Sequence, residues 1–210
     1  ADEILTAPAA AARWLRGEGI RRVCALVPDA TCDDLAEFEL TDEAAETDGT
    51  PEPDTAAEVV LVGDLGRAFD FDRLNRAFLA LRAGARLVAI HRNRYWISDG
   101  GPTLDAGPFV AALEYAAGVE AVLVGKPAPT FFAMAAADLG LPVDQLAVVG
   151  DDAESDVRGG RRAGTMTVQV RTGKGAAATS PERTPEELRP DRIVASLAEI
   201  PALFGVGGGA

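Results

Sequence analysis

Three short stretches of this 210-residue chain carry residue types and spacing that point to chemistry. They are Gly125-Lys126-Pro127, then Gly150-Asp151-Asp152 with Asp156, then Thr172-Gly173-Lys174. A lysine between glycine and proline after a strand can hold a phosphoryl oxygen as a point charge. Two adjacent carboxylates with a third four residues on make a hard oxygen site suited to Mg²⁺. Each element has a plain alternative. Asp151-Asp152 reads equally well as a solvated turn capping the helix near Asp156, and Lys126 as a surface lysine in a strand–helix turn. The order favours a site, because ligands of parallel sheets gather at the carboxyl ends of the strands. Lysine occurs only at 126 and 174, and both positions fall in these loops.

The elements that must place these residues alternate. Strands are expected at 2–7, 22–27, 59–62, 86–90, 121–124, 146–149, 166–170 and 193–195. Helices are expected at 8–17, 33–38, with Asp29 or Thr31 as its cap, 71–82, 108–117, 129–139, 156–163 and 197–204. Phe71, Leu74, Phe78, Leu79 and Leu81 form the apolar stripe of the third helix. Phe131, Phe132 and Met134 read as core. The acidic stretch 41–57, with its glycine and two prolines, reads as an exposed loop. Alternating strands and helices imply an α/β fold with a mainly parallel sheet.

Composition excludes several classes. The formal charge of −13 argues against nucleic acid and anionic membranes as partners. No apolar run approaches the roughly 18–20 residues that span a bilayer. Two cysteines, Cys24 and Cys32, are too few for a disulfide framework, and neither has a histidine near it in sequence to form a catalytic pair. A cytoplasmic location is expected.

The stretch 125–175, GKPAPTFFAMAAADLGLPVDQLAVVGDDAESDVRGGRRAGTMTVQVRTGKG, resembles the C-terminal core of the haloacid dehalogenase superfamily. More narrowly, it resembles the branch with a large α/β (type 2) cap, which includes NagD-like phosphatases. Residues 74–118 resemble that cap. The resemblance implies a Rossmann-like parallel core with the cap inserted. It implies a core segment at 1–18, a cap at 19–118, the C-terminal half of the core at 119–205 and a disordered tail at 206–210. Lys126 would neutralise the transferring phosphoryl group. Asp151 would ligate Mg²⁺, and Asp156 would serve the metal site directly or by orienting a bound water or Lys126. Asp152 would lean to the metal or cap the helix, with Gly125 and Gly150 shaping the loops. In the cap, His91, Arg94 and Tyr95 are candidates for selecting a small phosphorylated substrate; a partly exposed loop histidine is the plain reading of His91.

The family's Asp-x-Asp-Gly-Thr nucleophile motif does not follow any strand of this sequence. Glu46-Thr47-Asp48-Gly49-Thr50 imitates it, but no apolar strand precedes it, so a turn is the better reading. The expected function is therefore a Mg²⁺-dependent phosphatase of which this chain is a fragment. Its core is expected to lack the first two strands, to be inactive alone, and to leave an open sheet edge that favours self-association. A non-catalytic, phosphate- or Mg²⁺-binding relative that acts through protein interaction is the alternative.

Overall fold

The computed structural model describes residues 4–41, 56–98, 100–177 and 184–205. The imitation motif at 46–50 and most of the acidic stretch lie outside the described residues. The chain forms two compact units, Ile4–Gly125 and Lys126–Ala210 with Ala1–Glu3.

The first unit contains helix α1 (Ala7–Gly17), strand β1 (Arg22–Leu26), a helical turn α2 (Asp29–Cys32) and β2 (Glu39–Leu40). It continues with β3 (Val59–Val62), α3 (Phe71–Arg82), β4 (Arg86–Ala89), the hairpin β5 (Tyr95–Ser98) and β6 (Gly101–Leu104), α4 (Ala106–Ala117) and β7 (Val122–Leu123). Five strands form a parallel sheet in the order β2-β1-β3-β4-β7. All four residues of β3 are buried, as expected for a strand covered on both faces. On one face Leu26, Val60, Val62 and Leu87 pack with Ala77, Ala80 and Leu81 of α3 and Val110 and Leu113 of α4. On the other, Val23, Ala25, Val59, Leu61 and Val88 pack with Ala11, Ala12 and Leu15 of α1. Trp14 lies under the Arg86 guanidinium, 4.7 Å from the ring centre.

The second unit contains α5 (Pro129–Leu139), β8 (Ala147–Gly150), α6 (Arg158–Ala163), β9 (Met166–Val170), β10 (Arg192–Val194) and α7 (Ile200–Leu203). Its sheet is parallel in the order β10-β9-β8. Among the described residues β8 therefore pairs on one side only. Val168, Val170 and Val194 pack with Ile200 and Leu203 of α7. Asp191 ties the strands together: its Oδ2 accepts from the Thr167 N–H and hydroxyl, each at 2.8 Å.

Several expectations are corrected. The expected strand at 2–7 is not one over its described part. Ile4 to Thr6 is irregular and Ala7 opens α1, because Thr6 caps that helix by accepting from the Ala9 N–H at 3.1 Å. Helix α1 packs in the five-stranded unit. The helix expected at 33–38 shrinks to α2 and a 3₁₀ turn at Asp33–Leu35, without a side-chain cap from Asp29 or Thr31. Phe71 stands at the start of α3 and is 78% exposed; the residues the helix buries are Ala77, Ala80 and Leu81, with Leu74 partly buried against them.

Two measurements test this packing. Leu61→Ala should destabilise the first unit by about 3 kcal/mol through the cavity it leaves. Both tryptophans, Trp14 and Trp96, belong to that unit, so their fluorescence in a urea titration reports the loss. Asp191 is held below the usual carboxylate range: burial works to raise it, but the Thr167 hydrogen bonds and the arginines at 161 and 192 outweigh burial. Its contribution is thus full above the unfolded value of about 3.9 and fades as pH falls through the folded value. Asp191→Asn should lower protection of the β9 amides by about 1–2 kcal/mol at pH 7, and by progressively less as the pH falls below about 3.9, measured by hydrogen exchange.

Candidate active site

Three loop segments build the site. The first follows β7. Gly125 is required there because a Cβ would stand 2.1 Å from the Ile90 carbonyl oxygen. The chain leaves the sheet at Lys126 and enters α5 at Pro129. Gly159 of α6 lets Phe132 and the Pro127 backbone approach to within 2.9 Å of where its Cβ would be. Phe132 is buried, as expected for core.

The second segment follows β8. Asp156 lies in a π-helical turn, Ala153–Val157, and is only 6% exposed. Its Oδ1 accepts from Lys126 Nζ at 2.8 Å, and its Oδ2 accepts from the Asp152 N–H at 3.2 Å. A Cβ on residue 150 would stand 2.2 Å from Asp156 Oδ2, so only glycine admits this carboxylate. The lysine side chain stays 44% exposed. An ammonium has three donors, so donors remain for an incoming anion.

The third segment, after β9, brings Lys174 to the adjacent aspartates, which have separate partners. Asp152 Oδ1 accepts from the Glu154 and Ser155 amides at 2.9 and 3.1 Å, and Oδ2 from Lys174 Nζ at 2.5 Å. Burial works to raise the Asp152 carboxyl, but Lys174 and the two amides hold it below its ordinary value. Asp151 Oδ2 accepts from the Lys174 N–H at 2.7 Å, while its Oδ1 has no partner among the described residues.

The arrangement thus brings together Lys126, Gly150, Asp151, Asp152 and Asp156. Lys174 joins them, and no role had been assigned to it from the sequence. The sequence signal for it is that lysine occurs only at 126 and 174; the structure pairs both with carboxylates of the 151–156 loop. The donor set fits Mg²⁺ in kind, with hard oxygens and an uncommitted carboxylate oxygen on Asp151. Among the described residues no three His, Cys, Asp or Glu side chains cluster as a metal site. What they offer suits a cation that keeps several waters.

His91, Arg94 and Tyr95 lie in the first unit. His91 Nδ1 stands 3.4 Å from Asp105 Oδ1 without a hydrogen bond to it. Asp105 is buried and caps α4 through the Ala106 N–H at 2.7 Å. Arg94 and Tyr95 line a cavity of about 710 Å³ with Arg92, Leu104, Pro108 and Ala111. Arg92 is paired with Glu114 at 2.5 Å, whereas Arg94 makes no ion pair among the described residues. His91 is not part of the lining. Asp70-Phe71-Asp72 has the spacing of a carboxylate pair, but Asp70 caps α3 through the Arg73 N–H. Cys24 and Cys32 form no disulfide; the first is buried and the second half-buried.

Residues 123–200 match the HAD-hydrolase-like family model. Over 201 residues the chain is 36% identical to the human phospholysine phosphohistidine inorganic pyrophosphate phosphatase, covering 94% of this chain and 68% of that protein. The chain belongs to the haloacid dehalogenase superfamily of hydrolases. The chain is also 35% identical over 184 residues to the bovine haloacid dehalogenase-like hydrolase domain-containing protein 2, covering 88% of this chain and 65% of that protein. It spans from about half to two thirds of the length of the curated relatives it matches. Its fold is similar to that of p-nitrophenyl phosphatase from Archaeoglobus fulgidus, with a TM-score of 0.80 and 29% identity. That likeness covers 96% of this chain and 75% of the other. It is also similar to a glycerol phosphate phosphatase from Mycobacterium tuberculosis crystallised with magnesium, with a TM-score of 0.78 and 26% identity, over 93% and 57%. No described helix is long and apolar enough to cross a membrane.

The seat of Asp156 gives a direct test within this superfamily's fold. Gly150→Ala should displace the carboxylate and break the pair with Lys126. Overpacking of this kind costs about 1–3 kcal/mol. Urea unfolding followed by circular dichroism reads the loss; an unchanged midpoint would mean that Asp156 is not seated against Gly150.

Proposed function

We propose that the protein is a Mg²⁺-dependent phosphatase acting on a small phosphorylated substrate through a phospho-aspartate. The observation that carries this reading is the Lys126–Asp156 pair at 2.8 Å, in one loop cluster with the uncommitted oxygen of Asp151. The exposed ammonium of Lys126 binds the phosphoryl oxygens and offsets the charge that builds on them. Asp156 aims that lysine. Asp151 holds the cation, and Asp152 caps the turn beneath it. When bound, Mg²⁺ supplies charge stabilisation at the phosphoryl group. Arg94 and Tyr95, which line the cavity of the first unit, are proposed to select substrate, while His91 stands beside Asp105 without a hydrogen bond to it.

The attacking carboxylate is the missing part. No Asp-x-Asp-Gly-Thr sequence occurs in these 210 residues. In this proposal the nucleophile comes from polypeptide outside them. That β8 pairs on one side only among the described residues supports that idea.

Two assays test the reading. The 210 residues alone should not hydrolyse p-nitrophenyl phosphate with Mg²⁺. Hydrolysis that disappears in Asp151→Asn would place the nucleophile within them. The polypeptide as its organism makes it should hydrolyse phosphomonoesters. Lys126→Ala or Asp151→Ala should lower kcat/KM by at least about a hundredfold, the scale of losing a key charge-stabilising group. A natural polypeptide that binds phosphate but hydrolyses no phosphomonoester would sink the phosphatase reading and favour a binding protein.

A further inference from the structure

Lys174 lies 23 residues beyond Asp151, on the loop after β9. It touches both neighbouring carboxylates in different ways. Its backbone N–H donates to Asp151 Oδ2 at 2.7 Å, and its ammonium donates to Asp152 Oδ2 at 2.5 Å. The loop is shaped for this approach. Gly173 has φ +49°, and a Cβ there would stand 2.2 Å from Asp151 Oδ2. A Cβ on residue 175 would stand 2.1 Å from the Val170 carbonyl oxygen and 3.2 Å from that of Asp151. The buried Gln169 side chain adds a long contact of 3.5 Å to the Asp151 carbonyl oxygen.

Adjacent aspartates at the end of a strand pose a sorting problem. Both are hard oxygen donors, and a divalent cation would draw in both. Here one is fully engaged: Asp152 has two amides on Oδ1 and an ammonium on Oδ2. The other is fixed by one oxygen and left open at the second. With Lys126 on Asp156 and Lys174 on Asp152, three carboxylates face two ammoniums, leaving a single negative charge.

We propose that Lys174 is a positioning residue that sorts the two carboxylates: its amide presents Asp151 to the cation and its ammonium withholds Asp152. The inference rests on the metal reading of Asp151 given above. Its consequence is a site tuned to bind Mg²⁺ weakly. Charge count sets the affinity of such sites, and the lone free carboxylate leaves most of the bound cation's charge to act on a phosphoryl group.

Cation binding to the 210-residue chain, read by Mn²⁺ paramagnetic resonance and by Mg²⁺ calorimetry, tests the sorting without any need for activity. Lys174→Met removes a nearby positive charge and frees a carboxylate, so the cation should bind about tenfold tighter. The double variant Lys174→Met with Asp152→Asn should return to the original affinity. Gly173→Ala should weaken binding about tenfold, because it pushes Asp151 off the Lys174 amide. Circular dichroism and a urea midpoint confirm that each variant is folded. If Lys174→Met leaves the affinity unchanged or weakens it, the sorting role is wrong. A double variant that binds more weakly than the original chain would make Asp152 a ligand and overturn the sorting role as well. Binding that is absent from the original chain, or retained in Asp151→Asn, overturns the metal reading and this inference together. Binding lost in Asp151→Asn but unmoved in Lys174→Met overturns this inference alone.

Discussion

The buried carboxylate of Asp156 is the constraint around which the second unit is arranged. An ionised carboxylate removed from water is costly unless it is paired and hydrogen-bonded. Asp156 meets both conditions with partners from separate segments, the Lys126 ammonium and the Asp152 amide. Room for it exists only because residue 150 lacks a side chain. One interaction therefore fixes the loop before α5, the end of β8 and the π-helical turn. It also aims a half-exposed ammonium while using only part of its donor capacity.

Around this pair the chemistry is divided by polarity. The loop after β9 brings a second lysine to the second aspartate, so that neighbouring residues in sequence end in unlike environments. Asp152 is fully hydrogen-bonded and acts as a structural cap. Asp151 keeps one oxygen open. A strand end that would otherwise be a plain acidic turn thus becomes asymmetric, and the asymmetry comes from backbone amides and glycines as much as from charges.

The first unit treats its polar groups in the same way. Its sheet is buried on both faces by α1 on one side and by α3 and α4 on the other. Polar side chains near its cavity are mostly committed elsewhere. Arg92 is held by Glu114, and Asp105 caps α4 beside His91. Arg94 makes no such ion pair among the described residues and lines the cavity with the exposed ring of Tyr95. Of the three residues singled out there from sequence, two line a cavity and His91 does not.

The sequence alone determined the alternation of strands and helices, because apolar runs such as 59–62 and the capped stripe of 71–82 are local signals. Their parallel pairing and the role of Phe132 as core followed from the same patterning. It also determined which residues carry the charge of the site, since lysine occurs at only two places and acidic residues cluster between 151 and 156. Tertiary structure decided the rest. The segment 2–7 looked like a strand, but the Thr6 cap and Pro8 turn its end into a helix start. Phe71 matched the helical period yet stands exposed at the first turn of α3, where the stripe has not reached the sheet. Two adjacent aspartates are indistinguishable by type. Only folding brings Lys174 across from the next strand, and Coulomb attraction over a few ångströms, rather than position in sequence, sets which carboxylate stays free.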